Sequence, residues 1–482
     1  MKQKSGAQIN QKAFVQSAVI LLALMIVSGA LTLVIPAGQF QRVESDGRET
    51  IVPNSFAFTE RPDYPIWRWF TAPLEVLAGP DNLTIIVIIV FILMVGVAFA
   101  IMDKSGILKA ALARVVRRFG GQKYVLLLVI TLFFMALGSF FGIFEEVVPL
   151  VPLMIALAYS LGWDTLTGLG MSILATNVGF SAAITNPFTV GVAQGLAELP
   201  AFSGAGYRIV IFIVFYLLLA MFLTHHARKV EKNPQASPVF TEEQATRQKY
   251  RHFSADSIAH EHKGTTPALI FLVVCVVLIF ATLFAGPFIP SISDYALPIV
   301  GLLFLVAGVG AELIAGVGKE AWKAAVEGLA GIAPAIPLIL MASSVKFIIA
   351  SGGILDTILN GAANAFAGAN PITAALLIYA LTLGIEFFVS SGSAKAFLLM
   401  PILIPLADLV GVTRQTAVLA YVFGDGFSNL AYPTSAVLLI CLSLTAVTYP
   451  KWLRWVLGLW VWIILASLLF LAIGVWMNYG PF

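Results

Sequence analysis

Apolar runs of about 20 residues recur along this chain, and that feature leaves few folds open to it. A bilayer core offers the backbone no hydrogen-bond partners, so runs of this length are read as membrane helices. Spans are expected at roughly 14–36, 82–102, 165–196, 206–225, 266–289, 295–316, 331–350, 415–447 and 454–477. Two more apolar blocks, 123–161 and 371–410, are about twice span length and broken at their centres. Each fits either two crossings or one re-entrant hairpin, and neither choice alters the topology. The fold class expected is an all-α polytopic membrane protein.

Composition agrees. The chain is 59% hydrophobic and only 11% charged, against about 25% charged in soluble domains. A net charge of +3 reflects basic loops and not nucleic-acid binding. Cys275 and Cys441 both lie in apolar spans, so free structural thiols are expected and no disulfide framework. His225, His226, His252, His260 and His262 all fall in one polar loop. There is no CxxC, HExxH or Walker lysine motif, so metal, redox and ATP-driven chemistry have no support. An intramembrane enzyme lacks a nucleophile–base pair. The expectation is a non-enzyme without a cofactor.

Lys2, Lys4 and Lys12 precede an apolar run that is too long for a secretory h-region and lacks a cleavage site, so a retained first span is expected. Positive-inside bias then orients the chain. The basic N-terminus, the loop 103–123 and the segment 226–264 fall inside. Residues 37–81, with four basic residues among seven acidic ones, and 351–370, with no Lys or Arg, fall outside, as does the C-terminus. Trp67, Trp69, Trp163, Tyr449 and Trp452 are expected to form an interfacial aromatic belt.

The chain divides into a first transmembrane repeat, 1–225, a cytoplasmic linker, 226–264, and a second repeat, 265–482. Three triplets recur at an offset of 247 residues: Ile92-Leu93-Met94 at Ile339, Gly106-Ile107-Leu108 at Gly353, and Gly179-Phe180-Ser181 at Gly426. Five expected crossings separate the copies, which inverts the second, as in secondary transporters. Segments 104–119 and 354–367 occupy equivalent places and are expected as amphipathic arms or surface connectors.

Polar, Gly- and Pro-rich breaks inside membrane-length segments, at matching places in two halves, point to a transporter's binding site. In the first half the breaks are Glu145-Glu146 and Asn177–Pro187; in the second they are Ser390–Ser393 and Asp425–Thr434. Charge in hydrocarbon is costly and marks candidate function. Two adjacent carboxylates repel unless a cation, a proton or a basic side chain shares the site, so Glu145 and Glu146 are candidates for a cationic group or a coupling ion. Asn177, Ser181, Thr185, Asn186, Asp425, Ser428, Asn429 and Thr434 lie where helices are expected to unwind, beside Ser391 and Ser393 of the second tip. Gly179, Asp425 and Gly426 join the glutamates as candidates for ion coupling. Lys395 is placed to pair with a substrate carboxylate or with Glu386, and Lys346 to snorkel outward.

Gly142-Ile143-Phe144-Glu145-Glu146, Ala183–Phe188, Val192–Gly195, Ser203–Arg208 and Ser390–Lys395 resemble the YfcC-like carriers of the anaerobic C4-dicarboxylate carrier group, within the ion-transporter superfamily. The resemblance implies two inverted repeats, each with a re-entrant hairpin (123–161 and 371–410) and a broken helix (165–196 and 415–447). It also implies a homodimer and an elevator-like motion. Dicarboxylate carriers of the superfamily have Ser-Asn-Thr at each tip; here glutamates stand at the first. The expectation is a secondary active transporter of a bacterial inner membrane, with the lipid bilayer and a small-molecule substrate as partners. A basic or zwitterionic amino acid of the arginine or ornithine type is the first choice of substrate, moved by exchange or by H⁺ or Na⁺ coupling. The alternative is an ion-coupled carboxylate or C4-dicarboxylate transporter.

Overall fold

The computed structural model describes residues 11–480 apart from 46–47, 53–54, 108–109, 112–113, 115–119, 201, 252–263, 286–289, 317–320, 365, 367 and 446. Among the described residues nine helices are long and apolar enough to cross a membrane. α1 (Gln11–Val34), α2 (Arg68–Glu75) and α3 (Asn82–Lys104) come first. Two short antiparallel pairs lie between α1 and α2: β1 (Gly38–Gln39) with β4 (Ala57–Phe58), and β2 (Arg42–Ser45) with β3 (Arg48–Ile51). α4 (Lys123–Ala136) widens into a looser turn over Leu137–Phe141, and a tight turn at Glu145–Leu150 leads into α5 (Val151–Ser160). α6 (Thr165–Leu169) runs through another wide turn into α7 (Ala175–Ser181), and a break separates this from Pro187–Gly191 and α8 (Val192–Leu196). α9 (Ala205–Lys232) and α10 (Phe240–Arg251) complete this half.

The second half opens with α11 (Thr265–Ala285), α12 (Pro290–Ala315), α13 (Ala321–Ile332), α14 (Ala335–Ser351) and α15 (Leu355–Asn364). α16 (Pro371–Glu386) and α17 (Gly392–Val410) then flank a tip. α18 (Arg414–Gly426) tightens over Phe427–Leu430, breaks, and resumes as α19 (Ala436–Ser443); α20 (Tyr449–Trp476) follows. The order helix, tip, helix, turn, helix, break, helix thus occurs in both halves. Gly106 and Gly353, both at positive φ, close α3 and α14 at the 247-residue offset. Farther on, Asp164 and Thr413 cap the first parts of the two broken helices, and Asn186 and Ser435 cap the second parts.

The broken helices sit at the centre. Every residue from Trp163 to Ile184 and from Gln415 to Ala431 is buried, as befits helices surrounded on all sides. Close backbone approach makes this packing feasible. A Cβ on Gly179 would lie 1.8 Å from the Met135 carbonyl oxygen, and one on Gly138 2.1 Å from that of Thr176. In the second half a Cβ on Gly424 would lie 2.8 Å from the Tyr379 carbonyl oxygen. On the other side of the molecule α3 packs against α12 and α13, and α14 against α1 and α2.

The segments 165–196 and 415–447 are each interrupted, as expected of broken helices: α7 and α18 end before their second parts begin. Other expectations are corrected. The span at 331–350 is preceded, across a short turn, by α13, which was not anticipated. Most of the arm 104–119 lies outside the described residues, while α15 forms within 354–367. Trp69, Trp163, Trp452 and Tyr449 are buried packing residues and only Trp67 is exposed, so no aromatic belt forms from them.

The segment 226–264 is not a plain polar loop where it is described. α9 carries His225 and His226 onward to Lys232. The Trp455 indole donates to His226 Nδ1 (3.1 Å), so the Nε2 proton points to Asp164 Oδ2 (2.9 Å), which also accepts from Ser237 (2.8 Å). α10 docks through Glu243, which accepts from the Thr165 amide (2.9 Å), the Thr165 hydroxyl (2.7 Å) and Arg247 (3.1 Å). Lys451 reaches Glu242 at 2.6 Å.

Gly179→Ala forces backbone against backbone, at a cost of about 1–3 kcal/mol for an overpacked site. A lower melting temperature in detergent is expected; an unchanged one would show that α4 and α7 part freely. Burial and the neighbouring Asp164 carboxylate push Glu243 up to about 7. A folded pKa above the unfolded one, about 4.3, means that docking is held below that lower value and weakens as pH rises through 7. Amide exchange across 240–251, corrected for intrinsic rate, should quicken over that window and in Glu243→Ala. Equal protection throughout would rule the dependence out.

Candidate functional site

The first tip forms because Gly142 takes a left-handed conformation (φ +69°) and Pro149 sits in the tight turn that follows. A side chain at Gly142 would collide with Asn186, whose Oδ1 lies 2.3 Å from the ideal Cβ position. The tip is stitched to the first break by Ser139. Its hydroxyl donates to the Ala182 carbonyl (2.8 Å) and accepts from the Ile184 amide (3.0 Å). Thr185 donates to the Phe140 carbonyl at 3.0 Å. Glu145 and Glu146 are half-buried at this tip. Glu146 accepts from the Phe144 amide (3.1 Å). No basic side chain pairs with either glutamate among the described residues.

The first break lies later than expected. Asn177, Gly179 and Ser181 are helical, and the chain unwinds only at 182–186. Ser181 returns its hydroxyl to the Asn177 carbonyl (2.8 Å), so it stays within the helix instead of breaking it. The glycine requirement at 179 comes from packing on Met135. Asn186, fully buried, accepts from the amides of Phe188 (2.9 Å) and Thr189 (3.3 Å). It is therefore the cap of the second part, and that N-terminus is already occupied. Asn177 Oδ1 and Trp460 Nε1 line one small cavity, neither with a protein partner.

The second break is shifted in the same way. Asp425 and Gly426 end α18, and Ser428 and Asn429 stand in the tightened turn. Ser428 donates to the Gly424 carbonyl (3.1 Å) and the Asn429 amide to that of Asp425 (3.3 Å). The chain opens only around 431–435, where Thr434 is buried. The freed carbonyls of Leu430 and Ala431 accept from the Trp452 indole (2.7 Å) and the Tyr449 hydroxyl (2.6 Å). The two central helices touch directly, since a Cβ on Gly426 would lie 2.2 Å from Ser181 Oγ.

At the second tip Ser391 is exposed and Ser393 half-buried. Ser391 makes no side-chain cap, so the first amides of α17 are left open. One turn on, Lys395 is fully buried and paired with Glu386 at the end of α16 and with Asp425 Oδ1 at 2.8 Å. Lys395 is thus committed to two carboxylates and not presented to an incoming one. Gly392 sits between two elements: its ideal Cβ would lie 2.9 Å from Thr189 Cγ2 and 3.0 Å from Asp425 Oδ2. The Tyr421 hydroxyl donates to the Gly392 carbonyl. The structure therefore joins Lys395 and Asp425, and separately Asn186 and the Glu145–Glu146 tip. Thr189 and Tyr421 were not anticipated. A polar residue within an otherwise buried helix was the available signal for Tyr421; Thr189 had none. Lys346 pairs with Asp81 at 2.6 Å.

The sequence has relatives among known proteins. A protein of Escherichia coli (strain K12) named "Putative basic amino acid antiporter YfcC" is 32% identical over 471 residues, covering 90% of this chain and 91% of its own. An uncharacterized Haemophilus influenzae protein is 24% identical over 374 residues, covering 77% of this chain and 72% of its own. Among solved structures, the YdaH transporter of Alcanivorax borkumensis aligns with TM-score 0.44 and 20% identity, over 97% of this chain and 99% of its own. MtrF of Neisseria gonorrhoeae aligns with TM-score 0.43 and 17% identity, over 95% and 94%. The model of the C4-dicarboxylate anaerobic carrier family matches residues 14–476. The chain is a multi-pass membrane transporter, not an enzyme, and belongs to the C4-dicarboxylate anaerobic carrier family.

Proposed function

We propose that this carrier moves a basic or zwitterionic amino acid of the arginine or ornithine type across the bacterial inner membrane. The observation that carries this is the first tip, where two adjacent, half-buried carboxylates have no basic partner among the described residues. Such a pair repels a dianion and favours a cation. The uncapped N-terminus of α17 at Ser391–Ser393 supplies amides for the substrate carboxylate. The name of the Escherichia coli relative points the same way.

The matching order of elements and the shared cap positions support two inverted repeats, with 123–161 and 371–410 as re-entrant hairpins. The tips and broken helices then carry substrate by an elevator-like movement, in a homodimer whose N-terminus is cytoplasmic and C-terminus periplasmic. Exchange, H⁺ coupling and Na⁺ coupling are all compatible with this frame. A carboxylate carrier is the second reading, favoured by the family's own description.

Proteoliposomes preloaded with ornithine should take up labelled arginine faster than empty ones. Glu145→Gln and Glu146→Gln should each weaken apparent affinity about tenfold or more, as expected when one partner of a buried charge pair is removed. No arginine uptake, with gradient-driven uptake of succinate instead, would establish the carboxylate reading.

A further inference from the structure

The Glu386–Lys395–Asp425 cluster contains two carboxylates and one ammonium, and its three side chains are exposed by only 2%, 0% and 1%. Fully ionised, it would hold one uncompensated negative charge inside the protein. Isolated buried charge is strongly disfavoured even after relaxation, and at membrane depth such a charge is avoided or neutralised. Among the described residues no second cation pairs with Glu386 or Asp425: α16 adds Tyr379, α18 adds Tyr421, 187–196 contains no titratable residue, and of the other elements packed on α17, β3 carries Arg48 and Glu49 and α15 carries Asp356, which Arg42 holds. Arg414, at the far end of α18, is taken by Asp408 and Glu198.

Two further atoms point into the same place. Neither oxygen of Asp425 accepts a hydrogen bond of good geometry, and only Oδ1 faces the ammonium, so Oδ2 is left without any partner. The Thr189 hydroxyl, fully buried on the neighbouring segment, is likewise without a partner. Thr189 and Asp425 Oδ2 flank Gly392, so both lie at the second tip.

We propose that this cluster binds one exchangeable proton and is the coupling site of the carrier. In the loaded state one carboxyl is neutral, the other pairs with Lys395, and the cluster carries no net charge. Loading forms one O–H bond to a carboxylate oxygen, with the proton drawn from water on one side of the membrane. Unloading breaks that bond and returns the proton to water on the other side. A metal cation fits poorly, because the ammonium already occupies the space between the carboxylates and would repel it. The three groups come from the end of α16, the first turn of α17 and the end of α18. Loss of the proton therefore strains contacts at a tip and a break together. The coupling role rests on the amino-acid carrier reading above; the protonation itself does not.

Two measurements separate these claims. Infrared difference spectra of the purified protein, taken between acid and alkaline pH, should show the carbonyl stretch of a buried protonated carboxyl. Glu386→Gln and Asp425→Asn should each remove it, since either leaves a single carboxylate paired with Lys395. In proteoliposomes the protons taken up per substrate molecule should fall from about one to zero in Glu386→Gln. An unchanged band in Glu386→Gln, an unchanged proton-to-substrate ratio, or wild-type uptake driven by a Na⁺ gradient alone would each overturn the proposal. Loss of the band in a protein that moves no basic amino acid would leave the protonation standing and remove the substrate reading. Should Asp425→Asn not fold, Glu386→Gln alone decides.

Discussion

A helix that ends inside a bilayer leaves amides and carbonyls that lipid cannot satisfy, and this molecule is arranged around meeting that demand twice. At the first break Ser139 serves Ala182 and Ile184, Asn186 serves Phe188 and Thr189, and Arg208 donates to the carbonyls of Ile184 (3.0 Å), Phe202 (3.0 Å) and Ser203 (2.8 Å). At the second, Trp452 and Tyr449 reach in from α20 and Ser435 caps α19. The partners differ chemically between the halves, yet both breaks end up held from neighbouring helices. Both are therefore fixed features of the fold rather than frayed ends.

Much of this was legible in the sequence, for identifiable reasons. Membrane-length apolar runs are a strong signal, and the tips stood out because Glu145-Glu146 and Ser390–Ser393 interrupt them. The exact unwinding points were not legible. Ser181 and Ser428 look like breakers, but each turns its hydroxyl back to a carbonyl four residues earlier and leaves the helix intact. Gly179 and Gly424 look like flexible points, but they allow backbones to touch. Trp452 and Tyr449 have the composition of an interfacial belt, and only tertiary packing shows that they serve a break. Arg208 carries no sequence mark of its role, because the carbonyls it binds, those of Ile184, Phe202 and Ser203, gather around it only when the chain folds back after the first break.

Charge is unevenly shared between the two tips. The first carries carboxylates without a counter-ion among the described residues; the second buries its cation between carboxylates of its own. The two tips stand at the same place in the order of elements and differ in electrostatics.

The docked linker has a mechanical consequence. α10 grips the start of the first broken helix through Thr165, while Lys451 at the head of α20 holds the Pro238 carbonyl (2.7 Å) and Glu242. The described part of this connection, through α10, is thus a strap between the start of the first broken helix and the head of α20 rather than a tether. A strap of this kind transmits torque: the first broken helix and the last helix of the chain turn together, and rotation of one against the other would first have to peel α10 away.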